Sequence, residues 1–171
     1  RSDYKNLNLL TNNSISNIVD NSRYVWIGTW KGLNLYDKQT CKIIPFPDTR
    51  LLDKGINYMA ADKEDNIWIG AGNTIYRCNS TASIAREYDI FGSQQNKHTI
   101  NFVYQDREGN MWVLTGGGLF KYDDKSDSFI TYPPLGKNNA PYTMCQDQSG
   151  NYWIGTWGEG LWQFFPQKEG E

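Results

Sequence analysis

One phrase recurs four times along the chain: YVWIGTWKGL at 24–33, NIWIGAGNTI at 66–75, NMWVLTGGGL at 110–119 and NYWIGTWGEGL at 151–161. Its tryptophans, Trp26, Trp68, Trp112 and Trp153, stand 42, 44 and 41 residues apart. Each follows an aspartate by six positions: Asp20, Asp62, Asp106 and Asp147. Self-similarity at a period of about 40–45 residues marks an array of supersecondary units, and that period is typical of four-stranded propeller blades.

Each copy keeps one order. A mixed apolar stretch (15–19, 56–61, 100–105, 142–146) leads into a polar turn such as DREGN at 106–110 or DQSGN at 147–151. In such turns Asp bonds backbone amides two residues on, while Gly and Asn accept positive φ. The Trp segment follows, then a turn ending in Gly32, Gly118 or Gly160, then a third apolar stretch such as LNLYD or LFKYD. A fourth stretch closes the copy at 42–46, 84–88 and 128–132. Four short strands on hairpin-length turns make an antiparallel meander.

One meander cannot bury both faces; stacked radially on copies of itself, it can. Alternation in WIGT then sends the indole into one layer between blades and the Ile into the other. Gly28, Gly70 and Gly155 leave room for a close neighbour, and Leu114 breaks that rule in the third copy. The expected fold is therefore all-β: a β-propeller segment in a single domain, 1–171, with blades near 12–46, 56–88, 100–132 and 141–165. The last copy lacks a fourth strand, and residues 1–11, with Tyr4 and Leu7, are a candidate closing strand. Two outcomes stay open: a closed four-bladed ring, which demands strong twist and a narrow centre, or a partial propeller whose copies associate.

Composition narrows the function classes. Aromatic content of 15% with no helical apolar period favours strands. A net charge of −2, scattered without a basic stripe, excludes a nucleic-acid surface. No apolar run has membrane-spanning length and no signal segment opens the chain, so it reads as a cytosolic protein or a piece of a larger exported one. Cys41, Cys78 and Cys145 have no CxxC spacing and read as small buried strand residues; with His98 the sole histidine, no metal site and no cofactor is expected.

The pattern D-x2-G-N-x-W-I-G-T-x2-G-L-x2-Y-D, fullest across Asp106–Asp123 and Asp147–Phe165, resembles the two-component regulator propeller repeat. The resemblance covers essentially the whole chain, and the opening YKNLNLLTNNSISNI resembles the first blade of such receptors. It implies the extracytoplasmic, periplasmic sensor region of a hybrid histidine kinase, which self-associates in the parent receptor and has no direct membrane contact at this segment. Four departures stand out: Ala71 and Thr74 replace Thr and Gly, Arg23 replaces the turn Gly, the first copy is one residue short before Asp20, and TWGEGL has one residue extra. No kinase motif or phosphoacceptor segment is present.

Ligands of propellers approach one ring face. The turns after the Trp strands and the loops leading into the inner strands lie on the same face, because the chain crosses the blade an even number of times between them. They hold Trp30, Lys31, Asn73, Gly116, Gly117, Trp157 and Glu159, with Asn12, Asn13, Lys54, Lys97, His98, Asn138 and Asn139. Trp30, Lys31, Asn73, His98, Trp157 and Glu159 are the candidate ligand-binding residues. Exposed rings beside amides and charges suit an oligosaccharide. A structural reading sets Trp30 and Trp157 as caps on adjacent blades. No catalytic residue is assigned: one histidine, no activated Ser or Cys, and sparse carboxylates argue against a lyase or glycan-cleaving enzyme. A protein-interaction scaffold is the remaining alternative. The DxxGN loops lack enough oxygen ligands for calcium and are read as turns.

Overall fold

A computed structural model of the chain describes residues 10–92, 98–132 and 140–165. The candidate closing strand lies outside them over residues 1–9, as do Lys97, Asn138 and Asn139.

The described residues form four antiparallel sheets in chain order, with one short 3-10 turn at Thr49–Leu51. The first sheet is β1 (Ile15–Asp20), β2 (Tyr24–Thr29), β3 (Gly32–Asp37) and β4 (Lys42–Pro45). The second is β5 (Ile56–Ala61), β6 (Ile67–Ala71), β7 (Thr74–Cys78) and β8 (Ile84–Tyr88). The third is β9 (Ile100–Gln105), β10 (Met111–Thr115), β11 (Gly118–Asp123) and β12 (Ser128–Thr131). The fourth has three strands: β13 (Pro141–Gln146), β14 (Tyr152–Thr156) and β15 (Leu161–Phe164). Strands pair with their sequence neighbours, so every sheet is a meander.

The inner strands neighbour one another in the order β1, β5, β9, β13, and β13 does not pack on β1 as consecutive pairs pack. The molecule is an open arc of propeller blades. Among the described residues no four-bladed ring closes, and the end faces stay open: Ile18 is 60% and Leu161 67% exposed.

Three cores fill the layers between blades. Trp26 shares the first with Ile69, Trp68 the second with Val113, and Trp112 the third with Ile154. Trp26, Trp68 and Trp112 are at most 2% exposed. Trp153 is the exception: it points to the open side of the last sheet and is only half-buried. The expectation that all four form inter-blade core holds for three.

Glycine two positions after the tryptophan is a steric requirement. A Cβ at Gly28 would lie 2.7 Å from Ile56 Cγ2, and one at Gly70 would lie 2.6 Å from Ile100 Cγ2. The first residue of each inner strand thus sits on the preceding blade's backbone. Leu114 is buried in the third core, and the next inner strand begins with Pro141 instead of isoleucine.

The six-residue Asp–Trp spacing is a hydrogen-bond distance. In three blades the aspartate Oδ2 accepts the indole N–H at 2.8 Å: Trp68 to Asp62, Trp112 to Asp106, Trp153 to Asp147. Oδ1 meanwhile accepts the backbone N–H of Asn66, Asn110 or Asn151, which closes the turn. The first blade departs from this. Asp20 lies inside β1 opposite Val25, and its carboxylate takes Lys38 Nζ at 2.8 Å. Asn21 holds the turn instead, accepting Tyr24 N–H at 2.9 Å, and the missing residue falls between it and Trp26, not before Asp20. Among the described residues the Trp26 indole N–H is buried without an acceptor.

Carboxylates also tie blades together. Asp127, at φ 48°, accepts hydroxyls from Tyr88 of β8 at 2.7 Å and Tyr122 of β11 at 2.8 Å, with Arg86 alongside. Those bonds hold its carboxyl at about 2, against an ordinary 3.8. Bonds from Trp153 and Asn151 hold Asp147 at about 2 as well. Both groups bind fewer protons folded than unfolded, so their contribution is complete above the ordinary value and is lost as pH falls towards 2. The melting temperature is expected to hold from neutrality to about pH 5 and to drop between about pH 4 and 2. Thermal melts followed by circular dichroism check this, and an unchanged melting temperature at pH 2 contradicts it.

Only one cysteine fits the expectation of burial in a strand. Cys78 is buried in β7, and burial pushes its thiol up to about 12. Cys41 is exposed in the β3–β4 turn at φ 56°, and Cys145 is exposed on the open side of the last sheet. In a turn, positive φ sets position; on an end face no neighbour covers the thiol.

Candidate functional site

The turns after β2, β6, β10 and β14 and the loops leading into the inner strands do converge on one face. Trp30 N–H bonds Ser14 C=O at 3.1 Å, and Trp157 N–H bonds Ala140 C=O at 3.1 Å. Across blades, Gly32 N–H bonds Lys54 C=O at 2.7 Å and Ile100 N–H bonds Gly72 C=O at 2.9 Å. The DxxGN turns lie on the opposite face.

In the first, third and fourth blades the threonine ending the Trp strand closes the following turn on itself. Thr29, Thr115 and Thr156 hydroxyls donate to the carbonyls of Gly32, Gly118 and Gly160 at 2.7, 3.3 and 3.0 Å. The second blade has Ala71 and Thr74 at those places and makes no such bond. Its turn is anchored sideways instead, Gly72 N–H donating to Asn57 Oδ1 at 2.7 Å. An open cleft of about 390 Å³ results, lined by Lys54, Asn57, Gly72, Asn73, Thr74 and Thr99, with Gly55 and Ala71. Both residues by which the second copy departs from the repeat pattern, Ala71 and Thr74, line it.

Lys54 supplies a fixed positive charge. Its ammonium bonds the Tyr76 hydroxyl and lies 5.0 Å from that ring's centroid, while the hydroxyl donates to Glu87 at 3.3 Å. Trp30, in the turn of the preceding blade, is 60% exposed. Its ring rests on Gly55, where a Cβ would stand 3.5 Å from Trp30 Cε3. It thus caps the next blade's leading loop and still offers a ring face to solvent. Lys31, beside it, faces Asp53 at 3.5 Å.

The other candidates lie further round the arc. His98 is seated on the third blade's turn: a Cβ at Gly117 would meet its ring at 2.5 Å, so the Gly116–Gly117 pair is there to receive the imidazole. Phe91 flanks it at 6.3 Å between centroids. Trp157 is 76% exposed in the longer fourth turn, where Gly158 and Gly160 take positive φ, and Glu159 is exposed between them. A residue missed from the sequence joins it: Tyr142, 50% exposed, with its ring centroid 5.7 Å from that of Trp157. The sequence signal was present, an aromatic second in an inner strand just after the loop that the Trp157 turn bonds. Trp30 and Trp157 stand in the first and last blades of an open arc, so no joint platform of the two forms within one chain. Asn73 lines the cleft and Trp30 rests on Gly55, another of its lining residues; Trp157, Glu159 and His98 do not line it.

Residues 135–158 match the two component regulator propeller family. The extracellular domain assigned to the hybrid two component system BT4673 from B. thetaiotaomicron superposes with a TM-score of 0.76 at 23% identity, over 90% of this chain and 21% of that one. The WD40 beta propeller domain of Doa1 gives a TM-score of 0.69 at 12% identity, over 91% of this chain and 52% of that one. A streptogramin B lyase gives 0.66 at 16% identity, over 91% and 56%. These likenesses establish the propeller fold. The chain spans about a fifth of the length of the BT4673 domain. The comparison with curated proteins returned no match.

Proposed function

We propose that this chain is a ligand-sensing propeller segment of a hybrid two component receptor, placed on the extracytoplasmic, periplasmic side, and that it recognises an oligosaccharide without turning it over. The family match over 135–158 and the likeness to the BT4673 extracellular domain support the sensor role. The observation that carries the ligand class is the cleft together with the exposed Trp30 ring that rests on Gly55, one of its lining residues. An apolar ring face stands next to two amides, two hydroxyls and one ammonium, which is the pairing a pyranose presents: an apolar C–H face and a rim of hydroxyls.

Ring stacking supplies apolar contact, and Asn57, Asn73, Thr74, Thr99 and Lys54 select hydroxyl geometry or an acidic sugar. For binding to become a signal, the ligand must favour one arrangement of receptor chains over another. Loss of one stacking aromatic is expected to weaken binding by about tenfold, or 1.4 kcal/mol. Trp30→Ala and Asn73→Ala should each do so, while Lys125→Ala, on the opposite face, should not. Titration of neutral and acidic oligosaccharides into the folded chain, read by calorimetry, tests the reading. Binding by none of them, or binding indifferent to Trp30 and Asn73, overturns it.

A further inference from the structure

We infer that the cleft at the second blade's turn selects a sugar carrying a negative charge, and that the Lys54 ammonium makes the selection; this deepens the oligosaccharide reading and rests on it. The cleft is internal to the arc. Its lining comes from the second sheet and from the loops leading into β5 and β9, so neither end of the chain contributes to it. Charge gives the first argument. Among the described lining residues Lys54 carries the only formal charge, beside the amides of Asn57 and Asn73 and the hydroxyls of Thr74 and Thr99. Lys54 forms no ion pair among the described residues. The carboxylates of the adjoining segments answer to other cations. Asp53 faces Lys31 at 3.5 Å, Asp48 takes Arg50 at 2.6 Å, and Glu87 lies beyond the Tyr76 hydroxyl with Arg50 at 4.0 Å. None of the three lines the cleft.

Position gives the second. A surface lysine is a point charge on a flexible four-carbon stem and ordinarily sweeps through solvent. This one is held at both ends. Its backbone C=O accepts Gly32 N–H at 2.7 Å from the preceding blade. Its ammonium bonds the Tyr76 hydroxyl and stands 5.0 Å from that ring's centroid. Tyr76 is itself fixed, fully buried in the first core. An ammonium has three N–H donors and no acceptor. Tyr76 takes one of them, and the others are left for an acceptor that enters the cleft.

The third argument is the cost of covering a charge. A neutral sugar laid over the ammonium strips its water and returns only dipoles, which is unfavourable. A carboxylate or sulfate ester on the sugar returns the opposite charge and accepts the remaining N–H groups in charge-assisted bonds. For a solvent-facing pair that gain is at most about fivefold in affinity. Charge therefore selects among sugars, while the amides, the hydroxyls and the Trp30 ring on Gly55 supply the rest of the contact.

Calorimetric titration of the whole chain with two matched pairs of probes tests this. One pair is a galacturonate trisaccharide and its methyl ester; the other is a galactose trisaccharide with and without a sulfate ester. The charged member is expected to bind about fivefold more tightly, with the difference shrinking as salt rises. A preference in one pair alone identifies carboxylate or sulfate as the group recognised; a preference in neither overturns the inference. Lys54→Met keeps most of the stem and is expected to abolish the preference, whereas Lys54→Arg keeps the charge and is expected to retain it. Unchanged far-UV circular dichroism shows both variants folded. A preference that survives Lys54→Met overturns the assignment to Lys54. Binding of no saccharide removes the oligosaccharide reading underneath, whereas equal binding within both pairs removes the charge selection alone.

Discussion

Trp112→Ala is expected to cost about 3–5 kcal/mol of folding free energy, the range for removing a fully buried large aromatic. Trp112 is 0% exposed and meets Tyr132, Tyr152 and Phe164 at centroid distances of 4.9, 5.6 and 5.8 Å. Those rings come from the β12 end, β14 and β15, so the cavity would open where the third and fourth sheets join. Stability in stacked repeats is close to a sum of unit and neighbour terms. The fourth sheet should therefore come loose before the rest, and urea unfolding should broaden or split. Trp153→Ala provides the contrast, since its ring already faces solvent on one side; about 1–2 kcal/mol is expected. Equal losses for the two variants in urea titrations would contradict the layered packing.

Asp106→Ala is expected to cost about 2–4 kcal/mol, the second largest effect. This carboxylate, 5% exposed, accepts Trp112 N–H at 2.8 Å, Asn110 N–H at 2.7 Å and the Tyr152 hydroxyl at 2.6 Å. Burial by itself raises its proton affinity, and the bonds from Tyr152, Trp112 and Asn110 outweigh that, so the group is held below the usual carboxylate range. Alanine leaves buried donors facing apolar atoms, the expensive half of a hydrogen bond. Asp62 makes the same turn with no tyrosine from the next blade and is only half-buried. Asp62→Ala is expected to lose about 1 kcal/mol. Denaturant titrations of the two variants check the ranking, and an Asp62 loss as large as that at Asp106 would refute it.

Much of this was readable from repeats. The interval between tryptophans announces blades, and the Gly after WI announces a close neighbour at Gly28 and Gly70. The Asp–Trp interval of six was visible, yet its meaning as a carboxylate–indole bond needed coordinates, because turn aspartates have backbone work of their own. The first copy misled for the same reason. Asp20 keeps the interval of six from Trp26, but one residue is missing from the turn and Asn21 takes the role. Leu114 signalled different packing without saying against what, since Met144 and Ile154, which share its core, are distant in sequence and come from the next blade.

Counting strand crossings, a property of any meander, puts the turns after the Trp strands and the loops into the inner strands on one side, and the described residues of both sets lie there. Which of them meet was not countable. Asn73 lines the cleft whose Gly55 carries the Trp30 ring, while Trp157 turned out to stand with Tyr142 in the last blade.

Local chemistry, repeated four times, was sufficient to specify strands, turns, the faces of each sheet and the layer into which each indole goes, since all of these follow from period-two alternation and short-range bonding. The angle between one sheet and the next is set by how whole side chains interlock across a layer. That angle, which leaves an open arc with an indole at one end and isoleucines at the other, exists only once the sheets are packed.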